Sequence, residues 1–294
     1  MKHEVSGAKD KTPIIEYMTG ALGFSSRQAK KLIKDKKAQI NGKRAFRDSS
    51  VKNGDILELD TSEEQKTAIA SENIPISVIY EDKLILAVNK PPFMLVHPTP
   101  NHPGGTLLNA AAHYFREKGE GSSLRLLNRL DMNTSGVVII PKSAAVHSRL
   151  DEMMRSGSIR KFYTAVVEGT LEPEKGRIEE PIGKDAADPV KRKVTVDGQP
   201  SVTIYETLRK SGSHSLVRLE LVTGRTHQIR VHLSHIGHPV TGDELYGKGS
   251  ALIGRQALHA SDIELPNPGG GGTLKLHGSL PGDMRLLIGR LELE

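Results

Sequence analysis

Apolar and polar positions follow one pattern up to about residue 60 and another from residue 74 onward. In the first stretch Thr12-Pro13 opens a short amphipathic helix, with Thr12 suited to cap it and Pro13 to its first turn. Ser25 and Ser26 are candidate caps for a second helix. Its Ala29, Leu32 and Ile33 share one face, while Arg27, Lys30, Lys31 and Lys34 share the opposite one. Gln39 to Arg44 predicts a hairpin turning on Asn41-Gly42, and Val51 to Leu59 a turn and a last strand. Together these predict a compact αβ unit over residues 12–60 behind an N-terminal tail, 1–11. Residues 61–73 are polar, short of large apolar groups, and predict a linker.

From Ile74 the chain turns to short β-type runs broken by turns. Ile76–Tyr80, Leu84–Val88, Val137–Ile140, Arg160–Val167, Val202–Leu208 and Leu216–Val222 predict strands, the second of them stopped at Pro91-Pro92. Ser143 to Arg155 predicts a helix capped by Ser143, with Gly157 just beyond its end. Thr226 to Ile236 predicts another, stopped at Gly237. The expected fold class is α+β: a mixed, largely antiparallel sheet with flanking helices over residues 74–294, preceded by the small αβ unit.

Charge then sharpens the picture. The net charge is +6, and residues 1–60 hold 13 Lys and Arg against 8 Asp and Glu, while the remainder is nearly balanced at 28 against 27. A basic helix face followed by Lys43 and Arg44 in a hairpin points to a polyanion, RNA above all. The absence of cysteine removes disulfides, thiolate nucleophiles and cysteine-ligated zinc. No apolar run approaches a membrane span, and the first residues lack a signal-peptide core, so a cytoplasmic address is expected.

Four segments of the larger unit carry candidate chemistry. Asn89-Lys90-Pro91-Pro92 opens a rigid loop that runs to His97-Pro98. Arg129-Leu130-Asp131 sets a permanent cation two residues from a carboxylate, ahead of Asn133-Thr134-Ser135-Gly136. Arg160-Lys161-Phe162-Tyr163 brings basic residues to a tyrosine in a strand. In Thr223-Gly224-Arg225-Thr226-His227-Gln228-Ile229-Arg230, Gly224 allows a sharp strand-to-helix turn and Thr226 can cap, presenting Arg225 at a helix N-terminus. Histidines 227, 232, 235 and 238 lack metal-ligand spacing, so no metal is expected. Asp131 with Glu168 or Asp243 would suit a glycosidase, but six tyrosines, five phenylalanines and no tryptophan leave little surface for stacking sugars.

These segments, with Gly237-His238-Pro239-Val240-Thr241-Gly242-Asp243 and Gln256-Ala257-Leu258-His259-Ala260, resemble the RluA-type pseudouridine synthases. The small unit resembles the S4-like RNA-binding module. The resemblance implies isomerisation of uridine to its C5-linked form within RNA, without redox cofactor or metal. It implies that Asp131 is the essential carboxylate and Arg225 its ion-pair partner, with Arg230 the alternative. Arg129 would guide RNA into the site, and Tyr163 would stack on the target uracil and help remove the C5 proton. Arg27, Lys30, Lys31, Lys34, Lys43, Arg44 and Arg230 are the expected RNA-binding residues. Large-subunit ribosomal RNA is the first expected substrate and transfer RNA the second, with a monomer as the default state. One departure is Asn128, where many members carry histidine. The rival reading is a non-catalytic RNA-binding or ribosome-assembly factor with a synthase-like body.

Overall fold

A computed structural model describes residues 2–9, 11–24, 26–60, 69–120 and 124–294, with the side chains of Arg27 and Gln28 outside the description. The chain divides into two compact units, residues 1–68 and 69–294.

In the first unit, β1 (Lys2–Glu4), β2 (Thr12–Pro13), α1 (Ile14–Gly20), α2 (Ser26–Lys34), β3 (Ala38–Ile40), β4 (Lys43–Arg44), β5 (Ser50–Val51) and β6 (Ile56–Leu59) follow in order. The main sheet runs β1-β6-β3-β4. The stretch expected as a tail therefore supplies an edge strand, paired antiparallel along β6 from Lys2–Glu58 to Glu4–Ile56. Thr12 does not cap α1. Pro13 stands at the N-cap without a side-chain bond, because Thr12 and Pro13 are drawn into pairing with Val51 and Ser50. Ile14, Met18, Ala29, Ile33, Leu57 and Leu59 form the core. The apolar face of α2 thus turns inward, leaving Lys30, Lys31 and Lys34 exposed, as are Lys43 and Arg44. Ser25 lies outside the described residues, as do residues 61–68 of the expected linker.

The second unit is built on one nine-stranded sheet, which includes β7 (Val78–Glu81), β8 (Ile85–Lys90), β9 (Ser135–Pro141), β10 (Arg160–Glu168) and β11 (Lys175–Ile178). A separate pair, β12 (Ile182–Lys184) and β13 (Arg192–Val194), precedes β14 (Thr203–Lys210), β15 (His214–Leu221), β16 (Leu258–Pro266) and β17 (Thr273–His277). The order is β11-β14-β15-β10-β16-β9-β8-β7, with β17 beside β16. Every pairing is antiparallel except β9 with β16.

The helices are α3 (Leu107–Glu117), α4 (Ala144–Arg155), α5 (Gln228–His235) and α6 (Gly282–Arg290). All seven residues of β9 are buried. Val138 and Ile140 enter the core covered by α3, α5 and α6, while Val137 and Ile139 enter a second core under α4. This explains the unbroken β-branched run: a strand covered on both faces has no reason to alternate. Ser143 caps α4 by accepting from the Val146 amide, and Gly157 follows with φ +76°. Asn109 Nδ2 donates to the Ala70 carbonyl at 2.9 Å, so the last residues of the expected linker lie against α3.

The register at the parallel seam depends on Gly136. Its φ is +123°, and a Cβ would lie 2.6 Å from the Ala260 amide nitrogen and closer still to its carbonyl oxygen. Gly136→Ala is expected to destabilise the protein by about 3 kcal/mol or more, read as a drop in urea midpoint, because backbone on both sides must move.

Candidate active site

Asp131 sits in the turn that feeds β9, and three anchors fix that turn from behind. The Lys90 ammonium donates to the Met132 carbonyl at 3.1 Å, and also to those of Pro91 and Met94 at 2.8 and 2.9 Å. Arg255 donates to the Asn133 carbonyl at 2.9 Å and is itself held by Asp283 at 2.7 and 3.0 Å. Gln256 reaches the Thr134 hydroxyl at 3.2 Å. Asn128 takes up backbone positions of β9, donating to the Val137 carbonyl at 2.9 Å and accepting from the Ile139 amide at 3.0 Å. It braces the strand from a place on the wall of the cleft that also holds Asp131.

Lys90 is 1 % exposed, and burial, then the Arg255 charge, pull its pKa down to about 7 against the opposing pull of Asp131. The unfolded chain keeps this proton up to about 10.5. Between those values unfolding takes up a proton, so this group makes the native state more stable as pH rises. Lys90→Met should lower stability by about 1–3 kcal/mol through three unpaired carbonyls. Its deficit against wild type should widen from pH 7 to 10 in urea unfolding, since the variant lacks the titrating amine.

Arg230 is the ion-pair partner of Asp131, at 3.0 Å from Nη1 to Oδ2. Its remaining edge is a two-pronged bond to Asp243, at 2.6 Å from Nε and 2.8 Å from Nη2. Burial alone would lower the Arg230 pKa, but Asp243 and then Asp131 raise it. Asp243 is 1 % exposed and also accepts the Leu245 and Tyr246 amides at 3.1 and 3.2 Å. The guanidinium is therefore fixed on one side by a fully buried carboxylate and offers its last edge to Asp131.

The expected Arg225–Asp131 pair is not formed. Arg225 Nε donates to the Pro200 carbonyl at 3.2 Å, and the side chain is exposed. The reason is where α5 starts. His227, not Thr226, stands at the N-cap, in the left-handed region at φ +58°, and the helix begins at Gln228. The Gln228 carboxamide oxygen accepts the Thr223 hydroxyl at 2.8 Å and the Arg225 amide at 3.0 Å. Residues 225–227 thus form a turn that throws Arg225 outward, while Arg230 in the first turn of α5 faces Asp131. Gly224 has an ordinary φ, so the sharp turn falls at His227.

A cleft of about 590 Å³ opens at this ion pair, lined among others by Arg129, Asp131, Lys161, Tyr163, Arg225 and Arg230. Arg129 is exposed on its wall. Tyr163, on β10, is 6 % exposed, and burial, then the Asp131 charge, raise its pKa. His227 Nε2 lies 3.8 Å from Asp131, and its Nδ1 pairs with the Tyr246 hydroxyl at 2.8 Å. Burial holds the His227 pKa below the usual histidine value against the opposing pull of Asp131. His232 and His238 bond the Glu180 and Glu168 carbonyls at 2.9 Å, serving the framework.

A family model described as RNA pseudouridylate synthase matches residues 84–235, which carry Asp131, Tyr163 and Arg230. The chain belongs to this family. It is 35% identical over 278 residues to YhcT of Bacillus subtilis strain 168, described as an uncharacterized RNA pseudouridine synthase, covering 92% of each chain. It is 36% identical to ribosomal large subunit pseudouridine synthase D of Yersinia pestis, over 92% of this chain and 87% of that one. In fold it is similar to human RNA pseudouridylate synthase domain containing 4, with a TM-score of 0.61 at 24% identity over 74% of this chain and 93% of that one. The protein is thus an RNA pseudouridine synthase, an isomerase. Among the described residues, no helix is long and apolar enough to cross a membrane.

Proposed function

We propose that this synthase acts on specific uridines in structured RNA, with large-subunit ribosomal RNA the first substrate and transfer RNA the second. Asp131 is the essential carboxylate. The reaction breaks the N1–C1′ bond, turns the base and forms a C5–C1′ bond, with the C5 proton lost and N1 protonated. Attack on the sugar, addition to the base and removal of a sugar proton each need an ionised carboxylate. The observation that carries this reading is the 3.0 Å Asp131–Arg230 pair opening on the cleft. The charged fork of Arg230 balances the carboxylate's charge on the wall of the cleft.

Tyr163 would lie against the target uracil. Its raised pKa keeps the phenol protonated, which favours stacking over removal of the C5 proton. The target base must leave its stack to reach Asp131, at a cost of a few kcal/mol that is smallest in loops. Arg129 and Arg225, both exposed on the cleft, suit contacts that guide the strand in. The basic face of residues 12–60, with Lys30, Lys31, Lys34, Lys43 and Arg44 exposed, suits an S4-like module that adds backbone affinity. We take the enzyme to work as a cytoplasmic monomer.

The test is a map of pseudouridines in total RNA from a deletion strain, rescued with wild type or with Asp131→Ala. Sites lost on deletion and restored only by wild type support this reading and name the RNA. Loss only in transfer RNA would move the substrate assignment. Full restoration by Asp131→Ala would favour an RNA-binding assembly factor.

A further inference from the structure

Of the cations lining the cleft outside the Asp131–Arg230–Asp243 array, Lys161 is the buried one among the described residues. Lys161, at the start of β10, is 9 % exposed and lines the cleft wall. Among the described residues its ammonium has no hydrogen-bond acceptor, ion pair or aromatic face. The other cations lining the cleft are either exposed, like Arg129 and Arg225, or paired, like Arg230. Holding a charged side chain this far from water without a partner is costly, and burial pulls its pKa down with nothing to oppose it.

The neighbour of this ammonium is also informative. A Cβ on Gly224 would lie 3.6 Å from Lys161 Nζ, and the backbone at Gly224 needs no glycine. The residue without a side chain therefore stands beside the unpaired cation, on the wall of the same cleft. Bare backbone next to a charge that lines the cleft leaves room for an acceptor to approach.

We propose that Lys161 is a substrate-positioning residue that binds a backbone phosphate of the RNA strand beside the flipped uridine. A phosphate supplies the full negative charge that the isolated ammonium lacks, which a neutral uracil carbonyl does not. The contact would seat the strand against β10 so that the target base reaches Asp131 and Tyr163. This rests on the RNA-modifying role proposed above, and the test separates the two.

The probe is an unmodified large-subunit ribosomal RNA transcript carrying [5-³H]uridine, whose tritium is released as C5 joins C1′. Wild type is compared with Lys161→Met, Lys161→Gln and Lys161→Arg, by RNA binding across a salt series, by tritium release and by thermal unfolding. Loss of one phosphate contact should reduce the slope of log affinity against log salt by about 1 in the Met and Gln variants. KM should rise about tenfold with kcat within about twofold, and Lys161→Arg should restore both slope and KM. Thermal stability should hold or increase, because an unpaired buried charge has been removed.

An unchanged salt slope in folded Met and Gln variants would overturn the proposal. So would a fall in kcat at constant KM, which would assign the ammonium to the base. A drop in stability with binding unchanged would make Lys161 structural and overturn it as well. If wild type binds this RNA but releases no tritium, the substrate assignment fails, while the salt slopes still decide the phosphate contact.

Discussion

Asp131→Asn is expected to abolish pseudouridine formation, lowering kcat by about 10⁴-fold or more, while leaving the fold and RNA binding close to wild type. The substitution keeps the shape of the side chain and an oxygen that can accept from Arg230. It removes only the charge and the nucleophilic or basic oxygen. Stability should change little, since the Asp131 side chain is 30% exposed and Arg230 keeps its two bonds to Asp243. Thermal unfolding and filter binding should therefore match wild type as tritium release disappears. A variant that still releases tritium at about a tenth of the wild-type rate would remove Asp131 from the chemistry. The protein would still be a synthase, and another group in the cleft would have to supply the essential oxygen.

The candidate carboxylate was legible in the sequence, and the choice between its two candidate partners, Arg225 and Arg230, was not. Asp131 stands in a local pattern: a turn, a glycine and an apolar strand whose double burial follows from its unbroken β-branched run. Its partner depends on where α5 begins, and that is decided at a distance. Gln228 Nε2 donates to the Val202 carbonyl at 2.9 Å and to the Thr203 hydroxyl at 3.1 Å, pinning the helix start to the edge of β14. With His227 in the left-handed region, the helix starts later than Thr226 suggests, and Arg225 and Arg230 exchange the places expected of them. Asp243 was visible as the end of a matching stretch and as a possible second carboxylate beside Asp131, not as the group that holds Arg230. Nothing local says that a Gly-Asp thirteen residues after Arg230 folds back onto it at 2.6 Å. β1 escaped for the same reason, since three residues make a strand only when β6 lies alongside. The helix α3 is different. Its cap was local, Thr106 with Asn109 reaching back, but asparagine there is a weaker signal than the usual Glu or Gln.

Arg230→Met is expected to have two separable consequences, in stability and in turnover. The variant leaves Asp243, 1 % exposed, without its cation, and breaking a buried pair from one side costs about 3–5 kcal/mol. It also strips Asp131 of the guanidinium 3.0 Å away, so kcat should fall by about 10²-fold or more in whatever fraction stays folded. Arg230→Lys should be nearly as damaging to turnover, because one ammonium cannot replace a planar fork that binds two carboxylates. Arg225→Ala, by contrast, should leave both stability and kcat near wild type. The double variant Arg230→Met/Asp243→Asn separates the two losses. Asparagine still accepts the Leu245 and Tyr246 amides, and no buried charge is left alone, so the urea midpoint should recover most of the deficit. Turnover should not recover, because Asp131 still lacks its cation. If tritium release returned with stability, Arg230 would be a structural residue with no part in turnover.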